Sequence, residues 1–69
     1  MKLSARNVLK GRVVAITPGA VNVEVVIEIA PGVQVVSIIT KSSAESLGLA
    51  VGKEAYAVVK ASSVMVAVE

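Results

Sequence analysis

The sequence contains no histidine, no cysteine and no aspartate. It therefore lacks the groups that most often ligate metals, act as thiolate nucleophiles or move protons near neutral pH. Its only acids are five scattered glutamates, which read as outward-facing strand and helix residues, so the chain is not expected to be an enzyme. Phenylalanine and tryptophan are also absent and Tyr56 is the single aromatic, leaving almost no platform for stacking bases. The longest uncharged run, Ile29 to Thr40, is interrupted by Pro31, Gly32 and Gln34 and is too short to span a bilayer. Arg6, Lys10 and Arg12 break up the opening residues, which do not read as a signal peptide. A cytoplasmic protein with no membrane partner is the expectation, and the lack of cysteine agrees with it.

What is present is apolar residue in excess. Of the 69 residues, 55% are hydrophobic, yet a compact chain of this length buries only about 60% of the surface exposed when unfolded. With no disulfide and no metal ligands to hold a small core, the surplus is expected at a subunit interface, making the protein a homo-oligomer. The net charge of +2 is too mild to mark a nucleic-acid binder by itself. Its distribution says more, because Lys2, Arg6, Lys10 and Arg12 fall in the first twelve positions, where no acid occurs.

Periodicity sets the element order. Asn7 to Ile16 is β-branched and runs into the turn Thr17-Pro18-Gly19-Ala20, after which Val21, Val23, Val25, Ile27 and Ile29 alternate with mostly polar residues. These two strands form a hairpin. Ala30-Pro31-Gly32 turns the chain into Val33 to Thr40, apolar on both faces and so covered on both, the second cover being another subunit. Ser42 and Glu45 have capping-box spacing ahead of Gly48, predicting one short helix. Glu54 to Lys60 and Val64 to Val68 read as two last strands around the corner Ala61-Ser62-Ser63. Five strands with a short helix between the third and fourth make an all-β, OB-fold-like barrel, with Gly11 where the first strand bends.

The candidate chemistry is anion binding. Ser4-Ala5-Arg6-Asn7 and Lys60-Ala61-Ser62-Ser63 each combine a cation with hydroxyls and small residues. A tetrahedral dianion needs donors on every side and about two compensating charges, which Arg6 and Lys60 would supply. Ser4, Thr40 and Ser43 would add hydroxyls, and amides at Ala5 and near Ser43 further donors. A pocket made only of donors leaves the proton of phosphate unpaired and rejects that ion, whereas molybdate, tungstate and sulfate carry no such proton.

With Ser4-Ala5-Arg6-Asn7, the strand end Ser37-Ile38-Ile39-Thr40, the helix Ser43-Ala44-Glu45-Ser46-Leu47-Gly48-Leu49 and the closing Val58-Val59-Lys60-Ala61-Ser62-Ser63-Val64-Met65, the chain resembles the molbindins. These are the small molybdate-binding Mop proteins, whose module also occurs in a bacterial molybdate-sensing regulator and in some molybdate transporter ATPases. The resemblance covers almost all of residues 1–69 and implies a single Mop domain. It further implies a hexamer, a trimer of dimers, that binds molybdate or tungstate between subunits for storage and homeostasis, with no other cofactor and no metal bound except as the oxyanion. Carried over position by position, the main site comprises Ser4, Ala5, Arg6, Thr40, Ser43, Lys60 and Ala61. A second site near a three-fold axis is assigned to Gly19, Ala20 and Val21. Val8 and Pro31 depart from the family pattern without replacing a nominated donor, and the roles of Ser42 and Ser43, cap or ligand, are interchangeable at this level. Lys2, Lys10, Lys41 and Lys53 read as surface charges, Ser62 and Ser63 as a turn, Asn7 as structural and Tyr56 as packed in a core or interface. The alternative from another class is a nucleic-acid-binding OB module, which the missing aromatics disfavour.

Overall fold

The computed structural model describes all of residues 1–69. Four strands and one helix follow in the order β1 (Asn7–Pro18), β2 (Asn22–Ala30), β3 (Val33–Thr40), α1 (Lys41–Leu47) and β4 (Glu54–Val59), ending in a 3-10 turn at Ala61–Ser63. All strand pairs are antiparallel, and the sheet order is β3-β2-β1-β4. The sheet curls because β1 serves two partners: its first half pairs with β4 and its second half with β2, Arg12 pairing with both Glu54 and Glu28. Gly11 lies at that changeover. A Cβ there would sit 2.5 Å from the Glu28 carbonyl oxygen and 2.8 Å from Ile27 Cγ2, so only glycine lets the strands cross so closely. A bulge between Val13 and Ala15 adds to the bend.

The expected alternation of β2 faces inward as Val23, Val25 and Ile27, which with Val13 and Ala57 are the only buried residues. Ile16, Ile29, Val35, Ile39, Ala44, Leu49 and Ala55 pack around them half-buried. This core is small for so apolar a chain. Val36 and Ile38, on the other face of β3, stay about 60% exposed.

Two expectations are corrected. Helix α1 is capped by Thr40, not by a Ser42–Glu45 box: Thr40 Oγ1 accepts from the Ser43 amide at 3.1 Å. The reason is continuity, since β3 runs to Thr40 in extended conformation (φ −72°, ψ 155°), the geometry an N-cap requires, and Ser42 is already inside the first turn. Gly48 ends the helix in the left-handed conformation (φ 63°), with the Leu49 amide bonding back to the Ala44 carbonyl. The second correction is the fifth strand. Val64 to Val68 pairs with nothing, because a strand needs a free edge within reach, and the 3-10 turn carries the chain away from β4 with both outer edges of the sheet unfilled.

Candidate functional site

Strand register brings the two distant cations together. Asn7, first in β1, pairs with Val59, last in β4, so Arg6 immediately before one strand and Lys60 immediately after the other flank the same end of the ladder. Ser4, Ala5, Arg6, Lys60 and Ala61 line one cleft of about 600 Å³, together with Val58 and Ser62. Ala61 and Ser62 belong to the 3-10 turn, which is held by the Ser63 amide donating to the Lys60 carbonyl at 2.8 Å and whose start no side chain caps.

The electrostatics are one-sided. No carboxylate lines the cleft, and neither Arg6 nor Lys60 has an ion-pair partner. By contrast, Lys10 is paired with Glu54 at 3.3 Å, Arg12 Nη1 donates to the Gly52 carbonyl at 2.7 Å, and Lys53 Nζ donates to the Gly48 carbonyl at 2.8 Å. Three of the seven basic side chains are thus engaged locally, while Arg6 and Lys60, like Lys2 and Lys41, have no side-chain partner within the chain. Two cations, hydroxyls of Ser4 and Ser62 and small neighbours suit an anion approached closely by backbone.

Thr40 and Ser43 lie elsewhere. They form a hydroxyl cluster at the start of α1, in which Thr40 Oγ1 donates to Ser43 Oγ at 2.8 Å and lies 3.2 Å from Ser42 Oγ. No cleft of the chain is lined both by these residues and by Arg6 or Lys60. The turn with Gly19, Ala20 and Val21 lies beside this cluster instead, because Thr40 pairs with Asn22 and the Lys41 amide donates to the Val21 carbonyl at 3.1 Å. The nominated residues therefore fall into two groups, one at each end of the first hairpin. Ser62 and Val58 join the first group. Their signal in sequence is adjacency to Lys60, which does not tell a turn residue from one that also faces a cleft.

The chain matches the TOBE domain family over residues 3–66. It is 54% identical, over the full length of both chains, to a probable molybdenum-pterin-binding protein of Haemophilus influenzae. Its fold is similar to that of MopII from Clostridium pasteurianum, with a TM-score of 0.90 and 49% identity, covering 97% of this chain and all of that one. It is similar also to the cytoplasmic molybdate-binding protein ModG with molybdate bound, with a TM-score of 0.84 and 46% identity, covering 88% of this chain and 43% of that one.

Proposed function

We propose, from the premise that this chain belongs to the TOBE-domain family and within it to the molbindins, that it captures molybdate or tungstate reversibly in the cytoplasm and buffers the ion without chemistry. The observation that carries this reading is the convergence of Arg6 and Lys60, both unpaired, on a cleft free of carboxylates. In this reading Ser4, Ala5, Arg6, Lys60 and Ala61 of one copy meet Thr40 and Ser43 of a neighbouring copy, since no single chain joins the two groups. The assembly is a hexamer built as a trimer of dimers, and the turn at Gly19, Ala20 and Val21 forms its second kind of site.

The absence of a carboxylate from the cleft sets the selectivity. Phosphate brings a proton for which Arg6, Lys60 and the backbone amides offer no acceptor and the hydroxyls of Ser4, Thr40 and Ser43 only neutral ones, so it desolvates without full compensation. Molybdate and tungstate do not. A site completed by two copies also ties ligand to assembly, because an anion bound only by the associated form shifts the equilibrium toward it. Isothermal titration with molybdate, tungstate, sulfate and phosphate on one preparation tests the proposal. Tight binding of the oxometalates with phosphate at least tenfold weaker supports it, and equal affinity for phosphate refutes it.

A further inference from the structure

Helix α1 carries Ser42 and Ser43 in its first turn, yet little of it is packed against the sheet. None of its seven residues is buried, only Ala44 is half-buried, and Leu47 is 64% exposed. A helix so short is not stable by itself, so its direction depends on what ties its two ends. The first end continues from β3 and is fixed by the Lys41 amide donating to the Val21 carbonyl at 3.1 Å. The last end stops at Gly48, whose carbonyl accepts from Lys53 Nζ at 2.8 Å. No other side-chain hydrogen bond reaches that end of the helix.

The lysine reaches over from a rigid root. Its carbonyl accepts from the Val13 amide at 2.9 Å and its amide donates to the Ala50 carbonyl at 3.1 Å. The Gly52 amide donates to the Val13 carbonyl at 2.8 Å, and the Gly52 carbonyl accepts from Arg12 Nη1 at 2.7 Å. Val13 is fully buried, so residues 52 and 53 are moored to the centre of the core. Gly48 leaves room for the ammonium: a Cβ there would sit 3.2 Å from Lys53 Nζ. A cation at the final carbonyls of a helix is also favoured by the negative charge that gathers there.

We infer that Lys53, which by charge alone reads as a surface lysine, is a positioning residue for the oxyanion site: it clamps the end of α1 to β1 and thereby aims the Ser43 hydroxyl. Lys53 itself lines no part of the cleft that holds Arg6 and Lys60, so it acts on the anion only through the helix. Seven residues make a rod about 10 Å long, and with Lys41 as its pivot a released end tilts Ser43 away from Thr40, whose Oγ1 donates to Ser43 Oγ at 2.8 Å. Hydrogen bonds weaken steeply with angle, so a small tilt is enough to loosen a bound ion. This inference deepens the reading of a shared oxyanion site and rests on it.

Lys53→Met keeps the reach of the side chain and removes its donors, whereas Lys53→Arg keeps both donor and charge. Molybdate affinity is measured by titration calorimetry on the full chain for each, and for Lys53→Met also in the Ser43→Ala background. Lys53→Met should weaken binding about two- to fivefold, the span expected for losing a cation at a helix end. Lys53→Arg should restore wild-type affinity, and Lys53→Met should add nothing once Ser43 is alanine, because a residue that works through another has no effect without it. An equal loss in the Ser43→Ala background would mean that Lys53 acts by its charge alone, and unchanged affinity with a lowered thermal midpoint would mean a merely structural clamp; either overturns the inference and leaves the oxyanion site standing. A wild type that takes up no molybdate, or Ser43→Ala binding as wild type does, overturns the site reading itself and the inference with it. Amide exchange reads the clamp without any ligand: Gly48 and Leu49, whose amides bond back to the Glu45 and Ala44 carbonyls, should exchange faster in Lys53→Met, and unchanged rates would refute the clamp.

Discussion

Replacing Arg6 by alanine removes one of the two unpaired cations of the cleft and leaves the strands intact, because Arg6 precedes β1 and makes no hydrogen bond or ion pair within the chain. The size of the effect follows from the openness of the site. Two unit charges 4 Å apart attract by about 1 kcal/mol in bulk water and about 4 kcal/mol at the effective dielectric of a protein surface. A hydrogen bond to a charged group contributes about 1.5–3 kcal/mol. For a cleft closed only by a second copy, a loss of about 2–3 kcal/mol is expected, equivalent to roughly 30- to 140-fold in the dissociation constant. Titration calorimetry with molybdate reads this directly. Thermal unfolding reads it again: at a ligand concentration of about 100 times the wild-type constant, binding adds about 2.7 kcal/mol of stability to wild type, and a hundredfold weaker variant retains only about 0.4 kcal/mol. Lys10→Ala is the control, since Lys10 is engaged with Glu54 away from the cleft. Arg6→Ala binding molybdate within threefold of wild type, or keeping its full thermal shift, would refute the assignment of Arg6.

Three further outcomes follow from the geometry. Gly11→Ala drives a methyl group toward the Glu28 carbonyl and should lower stability by about 2 kcal/mol or more, read as a fall in the thermal midpoint; an unchanged midpoint would mean the strand crossing is looser than described. Thr40→Val removes the helix cap, costing about 1 kcal/mol in denaturant unfolding, and should also weaken molybdate binding, whereas Thr40→Ser should preserve both. Ile38→Glu changes a side chain that is 61% exposed in the single chain, so it should leave the secondary structure intact while reducing the oligomer measured by native mass; persistence of the wild-type particle would place that face of β3 in solvent.

Much of the fold was legible locally, and the exceptions share a cause. The alternation from Val21 to Ile29 and the turns around Pro18 and Pro31 are properties of neighbouring residues, and they give β1, β2 and β3 to within a residue or two. Gly48 marks the end of α1 because only its left-handed φ allows the chain to leave the helix there. The cap of α1 was misplaced to Ser42 because the spacing of a capping box does not say where the preceding strand stops, and here the strand carries Thr40 into position. Val64 to Val68 is strand-like in composition, but strand formation is a property of the edge it meets, and the 3-10 turn carries the segment away from the edges that β3 and β4 leave open.

The same distinction runs through the candidate site. That Arg6 and Lys60 are chemically matched can be read from their small, hydroxyl-bearing neighbours, but their adjacency depends on the pairing of Asn7 with Val59 across more than fifty residues. That Thr40 and Ser43 sit apart from them, next to the Gly19–Val21 turn, depends on the pairing of Thr40 with Asn22. Neither register is written in a local pattern. Together they divide the proposed ligands between two places in the chain, which the proposed reading joins through a second copy.

Complementation between defective copies tests that division most directly. Arg6→Ala and the double variant Thr40→Val, Ser43→Ala are each expected to bind molybdate weakly alone, for opposite reasons. Co-expressed and purified as mixed assemblies, they should regain tight sites at wild-type affinity in a fraction of the pairs, because some interfaces then join an intact Arg6 to an intact Thr40 and Ser43. If titration of the mixed particle shows only the weak affinity of its components, the oxyanion is not held between copies in the way proposed.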